Sequence, residues 1–377
     1  MRWPGERAAR AGLVACVVGT LALAARAADP AQSPPTAKVA VPDSELLLTL
    51  SIELSNEPGN ATTVAGRAVR TNWQRVGDVS EGSARIGNLR KELVLRYAMP
   101  TDLAGFSSVS HEVQGTDIRQ YLTESTLFGF REALYRNLWF RPAPLGSWGL
   151  GWGVETVRLD AVEGVAPFLV EYVQRQGRTT TAVPLIAFWS YDSRVAGSAL
   201  PSGTFASLLG EWGTAAGSIE YARFDASYQS HLPIGSRFAG SLGLAVGRVV
   251  GLGHDLSPYN KRFLGGGVGS VRGYEPGALS PQDASGATGA DTKVTLALEG
   301  HWHAMDVGNT PVVLSLFYDR GWFRGSEGAV ADSAVAGAYG LGITLPIRGG
   351  LVRVFFSRPH DEGFRTQEFQ FEARASW

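Results

Sequence analysis

The chain has 377 residues, with 34 basic against 35 acidic side chains and a formal net charge of −1, a balance that argues against a nucleic-acid partner. Its 47 glycines, 10 tryptophans, 11 tyrosines and 17 phenylalanines are the enrichments of a β-barrel with many turns and aromatic girdles. Beyond the N-terminal leader no stretch reaches 18 consecutive apolar residues, which excludes helical membrane spans.

Arg2, Arg7 and Arg10 precede an apolar run from Ala11 to Ala25, and Ala25-Arg26-Ala27 supplies the small residues of a cleavage site. The run is shorter than the roughly 20 residues of a spanning helix. Residues 1–27 are expected to be a cleaved export signal, with 28–44 a short periplasmic segment and 45–377 the barrel. Leu13-Val14-Ala15-Cys16 has the form of a lipoprotein box and is the rival reading, although Val17 to Ala25 continues the apolar region that such a box would close. Once the signal is removed no cysteine remains, which excludes disulfides, thiolate metal sites and cysteine nucleophiles.

The first expected strand lies between Glu45 and Ser55. Leu46, Leu48, Leu50, Ile52 and Leu54 would face lipid, while Thr49, Ser51 and Glu53 face a wet interior. Weaker alternation follows between Thr63 and Val76 and between Leu127 and Phe140. About sixteen such segments, bounded by Gly, Pro, Asn, Asp or Ser, run through the chain. Their spacing fits strands of about 9 to 11 residues with uneven loops. An even number closes an antiparallel sheet with both ends in the periplasm, and closure removes the unpaired edges that lipid would penalise.

One connection is abnormally long. Between a strand ending near Gly251 and one starting near Asp291, the segment from Gly253 to Ala290 is rich in Gly, Ser and Pro, and loops of that length are usually functional or disordered. From Phe263 to Gly277 it carries Gly265, Gly266, Gly267, Gly269 and Gly273 around one arginine, Arg272.

Beyond the loop the two-faced pattern resumes. Val294, Leu296, Leu298 and Trp302 oppose Lys293, Thr295, Glu299 and His301; Val312, Leu314, Leu316 and Tyr318 face lipid and turn Ser315, Phe317 and Asp319 inward; Tyr339, Leu341, Ile343 and Leu345 oppose Gly340, Gly342 and Thr344. The final segment is the clearest: Phe369, Phe371, Ala373, Ala375 and Trp377 alternate with Glu368, Gln370, Glu372, Arg374 and Ser376. An edge strand of a soluble sandwich would need a second sheet against this apolar face.

No enzyme, cofactor or metal is expected. His301-Trp302-His303 places two imidazoles on one strand face, a spacing a metal could use, but their register puts them with Glu299 among ordinary lumenal polar residues. His111, His231, His254 and His360 have no nucleophile or triad spacing around them. The glycines at 265 to 269 are no phosphate cradle, because Ser270 breaks the pattern and no Walker lysine follows.

Gly269-Ser270-Val271-Arg272-Gly273-Tyr274 resembles the Val-Arg-Gly-Phe/Tyr loop signature of the outer-membrane barrel superfamily that contains the BamA/TamA assembly factors and the ShlB/FhaC two-partner-secretion transporters. Phe317-Tyr318-Asp319-Arg320-Gly321 is similar to that family's Phe-x-Asp-x-Gly motif. The Gly340-to-Pro346 and Gly350-to-Arg353 stretches resemble its Gly-x-Gly hairpin, and Tyr191-Asp192-Ser193-Arg194 with Pro201-Ser202-Gly203 is similar to one of its polar turns. The matches cover roughly the C-terminal half.

The resemblance implies that the long loop folds back into the lumen, that Asp319 holds Arg272 there, and that the terminal aromatic strand with Phe369, Phe371 and Trp377 is read by the outer-membrane assembly machinery. An Arg–carboxylate pair suits that role, because an unpaired buried charge is costly and the guanidinium fork matches a carboxylate. It also implies a protein client, inserted into or secreted across the outer membrane, within a surround of outer-membrane lipid and lipopolysaccharide. The substrate-receiving POTRA domains of the family have no room between Ala28 and Ser44, so a separate periplasmic partner is expected. A passive or loop-gated pore is the alternative function, and an enzyme at the barrel rim the third.

Overall fold

The computed structural model describes residues 44–55, 62–87, 90–121, 127–160, 167–195, 200–283, 286–287, 289–308, 310–325, 332–347, 350–361 and 363–376. The expected export signal and Trp377 lie outside them. Sixteen antiparallel strands form one closed sheet. They are β1 (Leu46–Ser55), β2 (Thr62–Thr71), β3 (Val79–Gly87), β4 (Arg90–Pro100), β5 (Ser108–Tyr121), β6 (Leu127–Ala143), β7 (Gly146–Asp160) and β8, split at Val183 into Thr179–Ala182 and Pro184–Asp192. Then follow β9 (Gly203–Gly213), β10 (Tyr221–Ile234), β11 (Phe238–Gly251), β12 (Thr292–Val307), β13 (Thr310–Gly325), β14 (Asp332–Ile347), β15 (Gly350–Pro359) and β16 (Phe369–Ser376). Each pairs with its neighbours in the chain, and β1 pairs with β16 to close the ring.

The two faces follow the alternation in the sequence. On β13 the outward Leu316 is exposed while the inward Val313, Ser315, Phe317 and Asp319 are buried. On β4 the outward Leu93 and Leu95 are exposed, and the inward Arg96 pairs with Glu81 of β3, which also receives Arg67 of β2. No helix among the described residues is long and apolar enough to cross a membrane. The strands do so: their exposed apolar band faces lipid and their backbone groups are satisfied by the closed ladder.

Several strands exceed the expected 9 to 11 residues, β6 having 17 and β12, β13 and β14 having 16 each. The reason is visible at the rim. Where β6 and β7 pass the apolar band, Arg131 lies 2.9 Å and Arg158 3.7 Å from Asp160, both arginines largely exposed, so the hairpin continues into an aqueous collar. Below the collar, midway along the same hairpin, Tyr135 and Trp152 pack edge to face at 5.5 Å.

One element absent from the sequence reading is α1 (Pro167–Gln176), between β7 and β8. Phe168, Leu169, Tyr172 and Val173 recur at helical spacing and form its apolar stripe, and Gly177 at φ +82 ends it, its N–H bonded to the Val173 carbonyl at 2.8 Å. The stripe packs against Leu256 and Tyr259 of the long loop, so α1 lies over the segment that fills the barrel.

Candidate functional site in the barrel lumen

The segment between β11 and β12 folds back inside the barrel. Its base is closed by reciprocal bonds between Phe263 and Ala290, both 2.7 Å, and Val271, Tyr274, Ala278 and Leu279 beyond them are fully buried. Gly273 and Tyr274 pair with Gln367 and Thr366, which joins the loop to the connection before β16.

Arg272 is 6 % exposed and Asp319 of β13 is 1 % exposed. Arg272 donates from Nε to Asp319 Oδ2 at 2.7 Å and from Nη2 to Oδ1 at 2.8 Å, and its backbone N–H reaches Oδ2 at 3.0 Å. This is the two-pronged geometry a guanidinium and a carboxylate favour. A third arm, Nη1, donates to Glu299 Oε2 of β12 at 2.8 Å. The guanidinium also lies over Phe317, while Phe355 of β15 stands 5.0 Å from it.

The neighbouring positions require small residues. Gly273 sits at φ +86, and a Cβ there would stand 2.9 Å from that of Ser357; at Gly321 a Cβ would stand 2.6 Å from Val271 Cγ2. Tyr274 donates its hydroxyl to the Gly337 carbonyl at 2.9 Å. The structure thus brings together Val271, Arg272, Gly273, Tyr274, Phe317, Asp319 and Gly321. Gly269 instead lies exposed in the turn leading in. Of the terminal-strand residues, Phe369 is exposed on the outer face beside Phe356, ring centres 5.3 Å apart, and Phe371 pairs with Val354.

Three groups at this end were missed by sequence reasoning. Glu299 shares the inward register of Asp319 and could have been read as a second acceptor. Phe355 belongs to the same inward series. Gln370 of β16, fully buried, accepts from the Gly273 N–H at 3.2 Å and donates to the Tyr274 carbonyl at 3.4 Å.

A second set of contacts holds the other end of the loop. Lys261 Nζ lies 2.6 Å from Glu155 Oε2 of β7 as an ion pair and 3.4 Å from Glu211 Oε2 of β9. Asn260 donates to Glu155 and, at 2.9 Å, to Glu132 of β6. Arg262 donates to the Gly289 carbonyl and to Ser257, and stacks over Phe168 of α1 at 4.6 Å. From β6 to β13 is seven strands in a ring of sixteen, so the loop is tied to the wall at nearly opposite sides.

The histidines make polar and aromatic contacts, His111 stacking on Tyr135 and His360 standing edge to face with Tyr318 and Tyr339. His231 and His301 both bond Ser241, at 2.6 and 2.8 Å, and a β-bulge between His303 and Met305 turns His303 toward Asp306. No group suited to a metal ion occurs among the described residues.

A closed sixteen-stranded sheet, apolar outside and polar inside, with a long loop clamped in its lumen through an arginine, defines a transmembrane β-barrel of the outer-membrane type. The family model described as the Omp85 superfamily domain matches residues 72–377, and the chain belongs to that superfamily. The outer membrane protein assembly factor BamA of Neisseria meningitidis is 23% identical over 334 residues, an alignment covering 81% of this chain and 39% of that protein. The chain therefore spans about two fifths of that relative's length. Among solved structures, BamA from Haemophilus ducreyi lacking POTRA domains 1–3 superposes with a TM-score of 0.78 at 15% identity, covering 97% of this chain and 78% of that one. CdiB from Acinetobacter baumannii gives 0.55 at 14%, covering 88% and 60%.

Proposed function

We propose that the barrel inserts proteins into the outer membrane or passes them across it, with Arg272 and Asp319 locking the lumenal loop in its working position. The seam between the first and last strands carries this reading. Among the described residues β1 pairs with β2 at nine positions, Leu46 to Leu54, but with β16 at five, Ser51 to Ser55, so this seam is the shorter ladder of the two. Backbone opened to lipid costs several kcal/mol per unpaired group, and a client strand entering the opened seam would satisfy it. The partners this reading requires are an unfolded protein client, a periplasmic factor that delivers it, the assembly machinery that reads β16, and the lipid around the apolar band. An export signal over residues 1–27, cleaved on the way out, delivers the chain itself.

The test locks the seam. Leu54 and Ala373 face each other across it, and Leu54→Cys with Ala373→Cys under oxidising conditions joins β1 to β16. Quantitative mass spectrometry of outer-membrane and secreted proteins is expected to lose the same small set in locked and deletion cells, with recovery on reduction. An unchanged inventory in both sinks the reading. Bilayer conductance after deleting residues 275–290 then tests the alternative of a loop-gated pore.

A further inference from the structure

The outward face of the barrel is not uniformly apolar. Exposed outward-facing cations lie toward the rim that carries α1 and the base of the lumenal loop: Lys91, Arg119, Arg131, Arg158, Arg248, Arg320, Arg324 and Arg358. Toward the other rim the exposed arginines on the strands, among the described residues, are Arg70 and Arg141. An arginine on the lipid face costs about 2–4 kcal/mol at the membrane midplane and about 0–1 near the interface. The asymmetry therefore marks a leaflet boundary where cations are compensated.

The collar has two kinds of sector. On β5 to β7 Arg119, Arg131 and Arg158 stand beside Asp117 and Asp160, so protein carboxylates already answer them. On β13 to β15, among the described residues, no carboxylate comes within ion-pair distance of Arg320 or Arg358. Register places these groups in two adjacent rows. Arg320 faces Gly337, whose carbonyl accepts from the His360 N–H at 3.1 Å; beneath, Tyr318 faces Tyr339, which faces Arg358.

The middle of the upper row is glycine, and the His360 ring occupies that space. A Cβ on Gly337 would collide with the imidazole, whose centre lies 5.9 Å from the Tyr318 ring and 6.4 Å from the Tyr339 ring. His360 is 3.9 Å from Asp361, whose carboxylate also accepts from the Gly337 N–H. Neighbouring strands are about 4.8 Å apart and successive residues about 3.4 Å, so the backbones of Arg320 and Arg358, two strands and two residues apart, lie roughly 12 Å from one another, within the span of one headgroup. Tyrosines beneath are suited to the level where acyl chains meet headgroups.

We propose that Arg320, Arg358 and His360 form a binding site for the phosphate of a phosphorylated glycolipid headgroup in the leaflet at this rim. The site goes beyond the client reading and rests only on this rim facing the outer leaflet. The guanidinium groups supply paired donors to the phosphate oxygens, and the two tyrosines carry the start of the acyl chains.

The experiment uses the purified barrel in phosphatidylethanolamine nanodiscs, with bisphosphorylated lipid A and its dephosphorylated form as probes, read by native mass spectrometry. Wild type is expected to retain the bisphosphorylated lipid preferentially and to lose it as ionic strength rises, a readout that needs no variant. Arg320→Gln with Arg358→Gln is expected to weaken retention ~30-fold, the equivalent of about 1 kcal/mol for each arginine at a charged surface. Arg70→Gln with Arg141→Gln, at the other rim, is expected to leave it unchanged. Equal retention of the dephosphorylated lipid, or equal loss in the two double variants, overturns the site. Neither result depends on whether a protein client is inserted.

Discussion

The guanidinium carbon of Arg272 lies 3.6 Å from the centre of the Phe317 ring, so the side chain that forks onto Asp319 is also pressed against an aromatic face two residues earlier on the same strand. The cation is thus fixed in both the plane and the direction of its fork.

Arg272→Ala is expected to destabilise the barrel by about 3–5 kcal/mol, because it leaves Asp319 and Glu299 facing the lumen without their cation. Arg272→Lys keeps the charge but loses the fork, and falls between. The urea midpoint of the lipid-reconstituted barrel measures both, and proteolysis is expected to reach residues 275–290 in the alanine variant.

Lys261→Met removes the cation shared by Glu155 and Glu211 and is expected to cost about 3 kcal/mol. Lys261 and Arg272 share no partner, so their combined cost should equal the separate costs to within about 0.5 kcal/mol. A larger coupling energy in the double-mutant cycle would mean that the loop releases as one body.

Gly321→Ala pushes a methyl against Val271 and is expected to cost about 1–3 kcal/mol, the usual range for overpacking. Adding Val271→Ala gives the methyl its space, so the double variant should regain part of the loss. Failure to regain any would place the damage in the strand and not in the loop contact.

Asp78 closes the turn between β2 and β3. Burial pushes its carboxyl up, but the N–H groups of Gln74, Arg75 and Trp73 and the Tyr97 hydroxyl outweigh this and hold it below the usual 3.8. A depressed carboxylate contributes stability that is complete above its unfolded value and is lost as pH falls through the folded one. The protection factors of amides in residues 72–78, taken against the intrinsic rate at each pH, are therefore expected to fall once pH drops below about 3.8, and Asp78→Asn to remove that step.

Legibility in the sequence followed how local the signal was. The inward register of Asp319 follows from four alternating apolar residues before it, and β16 from its strict alternation, because strand faces are fixed by neighbours two positions apart. Lys261 carried no such signal. Its meaning depends on Glu155 and Glu211, 106 and 50 positions earlier, which are linked to it by neither motif nor period but are brought together by the curvature of the wall. Helix α1 was missed because its apolar stripe is short and lies in what reads as a loop between strands. Strand lengths were underestimated because the membrane sets only the apolar band, and β6 and β7 continue beyond it on charged residues.

Gln370 gives the structure an order in time. Its bonds to Gly273 and Tyr274 join positions 97 and 96 apart, and the chain that supplies it is synthesised after the loop it holds. Final seating of the loop therefore has to wait for β16 to arrive. The ring and its occupant mature together, and a barrel stalled before its closing strand keeps an interior that has not yet set.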